Sequence, residues 1–568
     1  MTPNHRRLDR LRASQGEIAN HTIDGLLAGR LSRREFVRRG SVLGLSATTM
    51  GAILAACGNA NSQSSSSSSS SGAAGASTSS SAKAGGTLKL AQQTPAASIN
   101  PLTIADAGGL NLLAQTGEYL VFDSNATLKL EPMLATSWSA NHDGSVWTFH
   151  LRTGVKFHTG QMLTADDVVW TLQQLSDTKN ASNALSNFAG VLTPSGVRKI
   201  DAQTVAFHLE APNGNFPYLV SSDNYNAIIV PKGTDYAKWQ STFVGTGPFT
   251  LKSYTQNVGA SFVPNPDYWG TKPLLSATAF SFYQSQQPQI LALQGGQVDA
   301  IVGIVATGAE ALLNSSQYSI ISRKSAGHRE ISMRTDLAPF NDPRVRRALA
   351  LTLDRPAMVK GLLYGRGSVG NDSPFGPRFP STDTSVPQRV QDIAQAKQLL
   401  AAAGHPSGFK AVYTSETILE MPALAQVIQA DARKAGIDFT LKLENQSAYY
   451  GKSTFGNSDW LDAEVSGVDY GDRGAPNIYL EAPLTSHGVW NASRFKDPAY
   501  DRLVKQYVAS VDLQAQRAAA GKIERLLLEQ TPLLIPYFLD SLTPTKPNVQ
   551  GANPTSIGAI YLGEASIS

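Results

Sequence analysis

Along most of the chain, apolar and polar positions alternate with one of two periods, and the period names the element. Trp147-Thr148-Phe149-His150-Leu151 and Val205-Ala206-Phe207-His208-Leu209 repeat every second residue, predicting strands with one apolar face and both histidines on the polar one. Val168, Leu172 and Leu175 recur at helical spacing behind Thr164-Ala165-Asp166-Asp167, a capping signal. Tyr500, Leu503, Val504, Tyr507 and Val508 do so behind Asp497-Pro498, where proline fits the first helical turn, and this stripe predicts core packing. A third helix carries Ala396, Leu399, Leu400 and Ala403 on one side and stops at Gly404, with Pro406 beyond. Helices and strands interleave, and no period of about 20–50 residues repeats, so an α/β architecture is expected rather than a solenoid or propeller.

The N-terminal region follows another pattern. Gly40 to Ala56 is a weakly apolar run diluted by Gly, Ser and Thr. It is short for a bilayer core, which needs about 20 apolar residues, so it reads as the apolar part of an export signal. From Asn59 to Gly86 the chain is nearly all Ser, Ala, Gly and Thr, with eight consecutive serines from Ser64 to Ser71. Such a segment builds no core; as a flexible coil it spans roughly 30 Å root-mean-square and suits a tether.

Composition and charge sharpen this division. With 568 residues, 42% hydrophobic and 16% charged, the chain supports a globular body of more than one subdomain. The net charge of +4 is misleading, because Met1 to Ala56 alone carries +5, leaving −1 on the rest. A nucleic-acid binder would instead place its basic charge on the folded body, where it displaces counterions from phosphates. The one cysteine, Cys57, excludes an intrachain disulfide and a thiolate metal cage.

Ser32-Arg33-Arg34-Glu35-Phe36-Val37 resembles the twin-arginine export signal, and Leu54-Ala55-Ala56-Cys57 resembles a lipobox. The resemblance implies cleavage before Cys57, which becomes the lipid-bearing N-terminus, and export guided by Arg33 and Arg34.

The body resembles the bacterial extracellular solute-binding proteins that include dipeptide, oligopeptide and nickel receptors of ABC importers. The resemblance runs through Gly86-Thr87-Leu88-Lys89-Leu90, Met133 to Trp138, Trp147 to Gly160, Leu163 to Val168, Gly245 to Phe249, Asn265 to Gly270, Leu293 to Asp299 and Pro343 to Leu349. It implies a two-lobed α/β fold like that of periplasmic binding proteins, with an extra domain inserted in one lobe. Placed on this chain, lobe I comprises 86–117, 244–324 and 534–568, the extra domain 118–243, and lobe II 325–533, after a signal at 1–56 and a tether at 57–85. It also implies a monomer outside the cytoplasm, held at the membrane by lipid, which takes a small solute (a peptide or other polar zwitterion) to permease and ATPase subunits, with no cofactor and no catalysis. A secreted hydrolase of peptides or glycans, and a sensor or chaperone on the same fold, are the alternatives.

Chemistry of other classes finds little support. There is no GxSxG elbow, HExxH helix or phosphate loop, and the nine histidines show no ligand spacing, so neither catalytic residues nor a resident metal are expected. Gly365-Arg366-Gly367-Ser368-Val369-Gly370 matches GxGxxG, but a helical Met358 to Tyr364 precedes it and a loop follows, so it reads as a hinge or turn.

In peptide-binding relatives an aspartate of a Gly-Asp-x-Gly-Asp-like segment receives the ligand's ammonium. Asp469, in Val468-Asp469-Tyr470-Gly471-Asp472, matches that position, although Val465, Ser466 and Gly467 stand where relatives often carry tryptophan. Arg334 shares the polar face of a strand with Ser332 and is the expected partner for a ligand carboxylate. Trp490 and Asn491 occupy a segment that approaches the ligand in relatives, and Tyr449, Tyr450 and Trp460 complete the aromatic candidates.

Overall fold

The computed structural model describes residues 84–124 and 126–568. The expected signal, Arg33, Arg34, Cys57 and nearly all of the tether lie outside the described residues.

The periodic segments fold as their spacing predicts. Val146–Leu151 and Thr204–His208 pair antiparallel in a four-stranded sheet with Ala135–Ala140 and Val197–Lys199. The helix Ala165–Ser176 starts where the Asp167 carboxylate accepts from the Thr164 amide (2.9 Å) and hydroxyl (3.0 Å). The helix Pro498–Ala509 is capped by Asp497 and buries Tyr500, Val504 and Tyr507. Ile393–Ala402 ends two residues before Gly404, whose positive φ reverses the chain.

A twelve-stranded sheet runs through the body. Ten of its strands lie in the order Ile437–Glu444, Phe409–Glu416, Val465–Tyr470, Ser319–Met333, Tyr537–Thr545, Ala300–Ile301, Thr87–Gln93, Ala277–Tyr283, Gly259–Pro264, Phe249–Thr255. The two largest of the apolar cores along it are separate. One gathers Leu88, Leu90, Phe149, Phe207, Phe262, Phe280 and Ile560; the other gathers Ile331, Met333, Val345, Leu349, Leu424, Ile428 and Val465.

The strand Ser319–Met333 connects them. Ile321 packs against the first core, whereas Ile331 and Met333 lie inside the second. Its first half, Ser319 to Lys324, pairs with Asp540 to Thr545, and its second half, His328 to Met333, pairs with Val465 to Tyr470. The register breaks between Lys324 and His328, and every residue from Ser325 to Met333 is buried.

The GxGxxG segment is a turn only at its start. Gly365 makes the expected turn with positive φ, but Gly367–Val369 is a short strand paired with Tyr537–Thr545. A Cβ on Gly370 would fall on the Ile535 carbonyl, so this glycine permits close backbone approach rather than phosphate binding.

Several resembling motifs converge on one buried carboxylate. The Thr246 hydroxyl (2.7 Å) and Trp269 indole (2.8 Å) donate to Glu118 Oε2, and the Tyr268 hydroxyl (2.8 Å) donates to Oε1. Burial raises the Glu118 carboxyl to about 7 despite these donors. The motifs Gly245 to Phe249 and Asn265 to Gly270 thus meet at the Glu118 carboxylate.

Candidate functional site

The main sheet borders a cleft of about 410 Å³. Ile304, Val305, Ser556, Arg329, Asp469 and Asp472 are among its lining residues. A neighbouring hollow of about 500 Å³ shares Ser186, Asn187, Asp223 and Arg473 with it.

Asp469 reaches the cleft because Val465–Tyr470 pairs with the buried half of Ser319–Met333, which sets Asp469 opposite Arg329. The Arg329 guanidinium is already matched: its Nε donates to Glu420 Oε1 at 2.7 Å and Nη2 to Oε2 at 3.2 Å. The Tyr450 hydroxyl lies 3.2 Å from Asp469 Oδ1 and 2.9 Å from Oε1 of the buried Glu416. Burial lifts the Glu416 carboxyl to about 7, and the neighbouring Asp469 charge adds to the shift.

A second charge cluster borders both hollows. Arg378 Nη2 donates to Asp123 Oδ2 (2.7 Å) and Asp223 Oδ1 (2.8 Å), and its Nε donates to Ser556 Oγ (2.7 Å). Asp472 Oδ2 stands 3.5 Å from the same Nε. One guanidinium therefore faces three buried carboxylates, and burial pushes Asp223 and Asp472 up from the usual carboxylate range.

The other expected contacts separate into three groups. Trp460, Trp490 and Tyr449 join Tyr450 and Tyr470 in one aromatic band, with ring centroids 5.2 to 6.4 Å apart. Within it, Tyr449 is fully buried and donates to the Gly467 carbonyl at 2.6 Å, so it holds the strand under Asp469. Asn491 is also buried, and its side chain is consumed by its own loop: Nδ2 donates to the Thr485 and Phe495 carbonyls, and Oδ1 accepts from Ser493 and Phe495.

Arg334 is not brought to Asp469. Strand register sets Met333 opposite Val465, at the far end of the strand from the Arg329–Asp469 pair, and Arg334 there binds Asp336 (2.7 and 2.8 Å) and the Asp462 carbonyl (3.0 Å). The exposed cation that lines the cleft is Arg473, whose Nη1 has a hydrogen bond to the Asp472 carbonyl. Sequence reading passed over Arg473, Arg329, Glu416 and Arg378. Only Arg473 had a signal, its place directly after the Val468–Asp472 motif and four residues from Asp469.

Among the described residues no group of three or more His, Cys, Asp or Glu side chains is arranged to hold a metal ion, and no helix is long and apolar enough to cross a membrane.

Comparison with known proteins fits this geometry. The family model of bacterial extracellular solute-binding proteins, family 5, matches residues 129–479. Heme-binding protein A of Haemophilus influenzae is 25% identical over 471 residues, 78% of this chain and 85% of that protein. The periplasmic murein peptide-binding protein MppA of Escherichia coli is 27% identical over 486 residues, 80% of this chain and 88% of that protein. The solved structure of HbpA2 from Haemophilus parasuis matches with a TM-score of 0.75 and 24% identity, over 85% of this chain and all of that one. The expected two-lobed α/β fold is borne out by this likeness.

Proposed function

Because the chain belongs to the bacterial extracellular solute-binding proteins of family 5, we propose that it captures a short peptide, or a zwitterion like one, and delivers it intact to an ATP-driven importer. Reversible capture outside the cytoplasm is the function of its family. The solute, the partner subunits and the membrane anchor are our reading.

The observation that carries the peptide assignment is the carboxylate of Asp469 in the cleft, with its hydrogen bond from Tyr450 and no cation bound to its own oxygens. It supplies an acceptor for a ligand ammonium. Arg473, four residues on, supplies the charge for a ligand carboxylate in place of Arg334. Their Cα atoms are at most about 14 Å apart, a span that a short peptide covers. Murein peptide binding by MppA supports the same class of solute.

We assign 86–117, 244–324 and 534–568 to lobe I, 118–243 to the extra domain and 325–533 to lobe II. Closure would bend the crossing strands near Ser325 to Gly327, where the register breaks. The protein acts as a monomer, with no bond-making step.

Calorimetric titration with unblocked di- and tripeptides tests the site. Asp469→Asn and Arg473→Gln should each cost about 2 kcal/mol, roughly 30-fold in affinity, because each leaves a ligand charge unpaired in a closed cleft. N-acetylated peptides should bind the unaltered protein weakly. Equal affinity for blocked and free peptides would defeat the assignment.

The tether reading has its own test. Cys57→Ser removes the one acylation site, so the exported protein should pass from membrane to soluble fraction; retention in the membrane would exclude a lipid anchor at this residue. Arg33 and Arg34 remain our assignment for the export signal.

A further inference from the structure

Tyr450 stands between two carboxylates with one proton to give. Its oxygen lies within hydrogen-bond distance of both Glu416 Oε1 (2.9 Å) and Asp469 Oδ1 (3.2 Å), yet a phenol donates only once. The Gln446 amide occupies Glu416 Oε2 at 3.0 Å, and the Asp469 backbone N–H approaches Oε1 at 3.4 Å. Two like charges packed around one donor repel, whereas a proton on one carboxyl turns the second contact into a hydrogen bond.

The surrounding charges determine which carboxyl keeps it. Arg329 faces Asp469 across the strand pair, but Glu420 already neutralises that cation at 2.7 Å. On the other flank Glu444 lies opposite Glu416 in register, with its charge met by Lys442 at 3.1 Å. Among the neighbouring phenols, Tyr449 donates away from the pair to Gly467 and Tyr537 donates to Glu420 at 3.2 Å, while Tyr470 and Tyr413 flank them. Counting Arg329, Glu420, Asp469 and Glu416 together, the cluster carries one excess negative charge if Glu416 is protonated and two if it is not.

We propose that Glu416, Tyr450 and Asp469 form a cation subsite that holds one shared proton when empty and gives it up when an ammonium group enters. This rests on the amine-binding reading of the cleft and adds a proton to its stoichiometry. The ligand's positive charge at Asp469 takes over the stabilisation of the two anions, and the proton passes from the Glu416 carboxyl to buffer. No bond other than this O–H breaks. The raised carboxyl of Glu416 agrees in direction: with a pKa of about 7 in the empty site and a lower one beside the ligand, affinity rises with pH through that interval and levels off above 7.

Two measurements on the full chain test the inference separately from the reading beneath it. In the ligand-free protein, carboxyl-carbon NMR should show a glutamate signal that titrates near neutrality, besides those of the buried Glu118 and Glu524, and that is lost in Glu416→Gln. If Glu416→Gln removes no signal titrating near neutrality, the shared proton does not exist and the inference fails, whatever the protein binds. Titration with L-alanyl-L-alanine at pH 6, in buffers of different ionisation enthalpy, should then show about one proton released. Affinity should increase about 40-fold or more between pH 5 and pH 8, because nearly complete release at pH 6 requires the carboxyl to fall about two pKa units on binding. Glu416→Gln should still bind the dipeptide, with no proton released and a flat pH profile. Proton release that persists in this variant would overturn the assignment to Glu416. If the dipeptide and its longer homologues do not bind at any pH, the peptide reading falls, and with it the exchange on ligand entry.

Discussion

A guanidinium that gathers three buried carboxylates, as Arg378 does with Asp123, Asp223 and Asp472, cannot neutralise them all. Burial raises Asp223 and Asp472 despite the cation, and repulsion from the neighbouring acids adds to the shift. Removing the cation would leave every acid in the cluster without its counter-charge. Arg378→Gln should therefore destabilise the protein by about 3–5 kcal/mol, read from urea unfolding at pH 7. A loss below about 1 kcal/mol would mean that solvent already satisfies the cluster. Apart from Asp472, which ends the Val468–Asp472 motif, nothing in the sequence announces this site, because its members are far apart along the chain. Asp469 was legible for the opposite reason: it sits inside a recognisable run of neighbours. Its true surroundings were not, since Arg329 and Glu416 meet it only through strand pairing. The expected partner, Arg334, failed on register, because side chains on one face of a strand still spread along its length.

Individual elements were the easiest part to read. Alternation found Val146–Leu151 and Thr204–His208, while caps and helical spacing found Ala165–Ser176 and Pro498–Ala509, since these signals are local. The segment Gly365 to Gly370 misled because its glycines serve different needs. Gly365 takes a positive φ with open space around it, whereas Gly370 lies against the Ile535 backbone. Gly365→Asn should cost about 1 kcal/mol or less, since asparagine tolerates the left-handed region. Gly370→Ala should cost more, about 1–3 kcal/mol, because the backbone of the facing chain must move. Equal midpoints for the two variants in denaturant would refute the close-approach explanation.

At the scale of the molecule, sheet order bears little relation to chain order, which is why pairing could not be read from the sequence. The strand Tyr537–Thr545 stands fifth in the ten-strand path, between Ser319–Met333 and Ala300–Ile301, yet it belongs to the last part of the chain. It also pairs with Gly367–Val369, so three strands wait for it. On the ribosome, at about 5–20 residues per second, about 20–90 s pass between the emergence of Thr87–Gln93 and that of Tyr537–Thr545. For about the last 10–40 s of that time, after its own emergence, the first half of Ser319–Met333 has no neighbour to close its edge, and such open edges invite pairing with other chains. Neither core can complete its share of the sheet before synthesis has nearly ended. The nascent chain must be kept from aggregating as a whole, and a message truncated before codon 537 yields a polypeptide with a gap in the middle of its largest sheet.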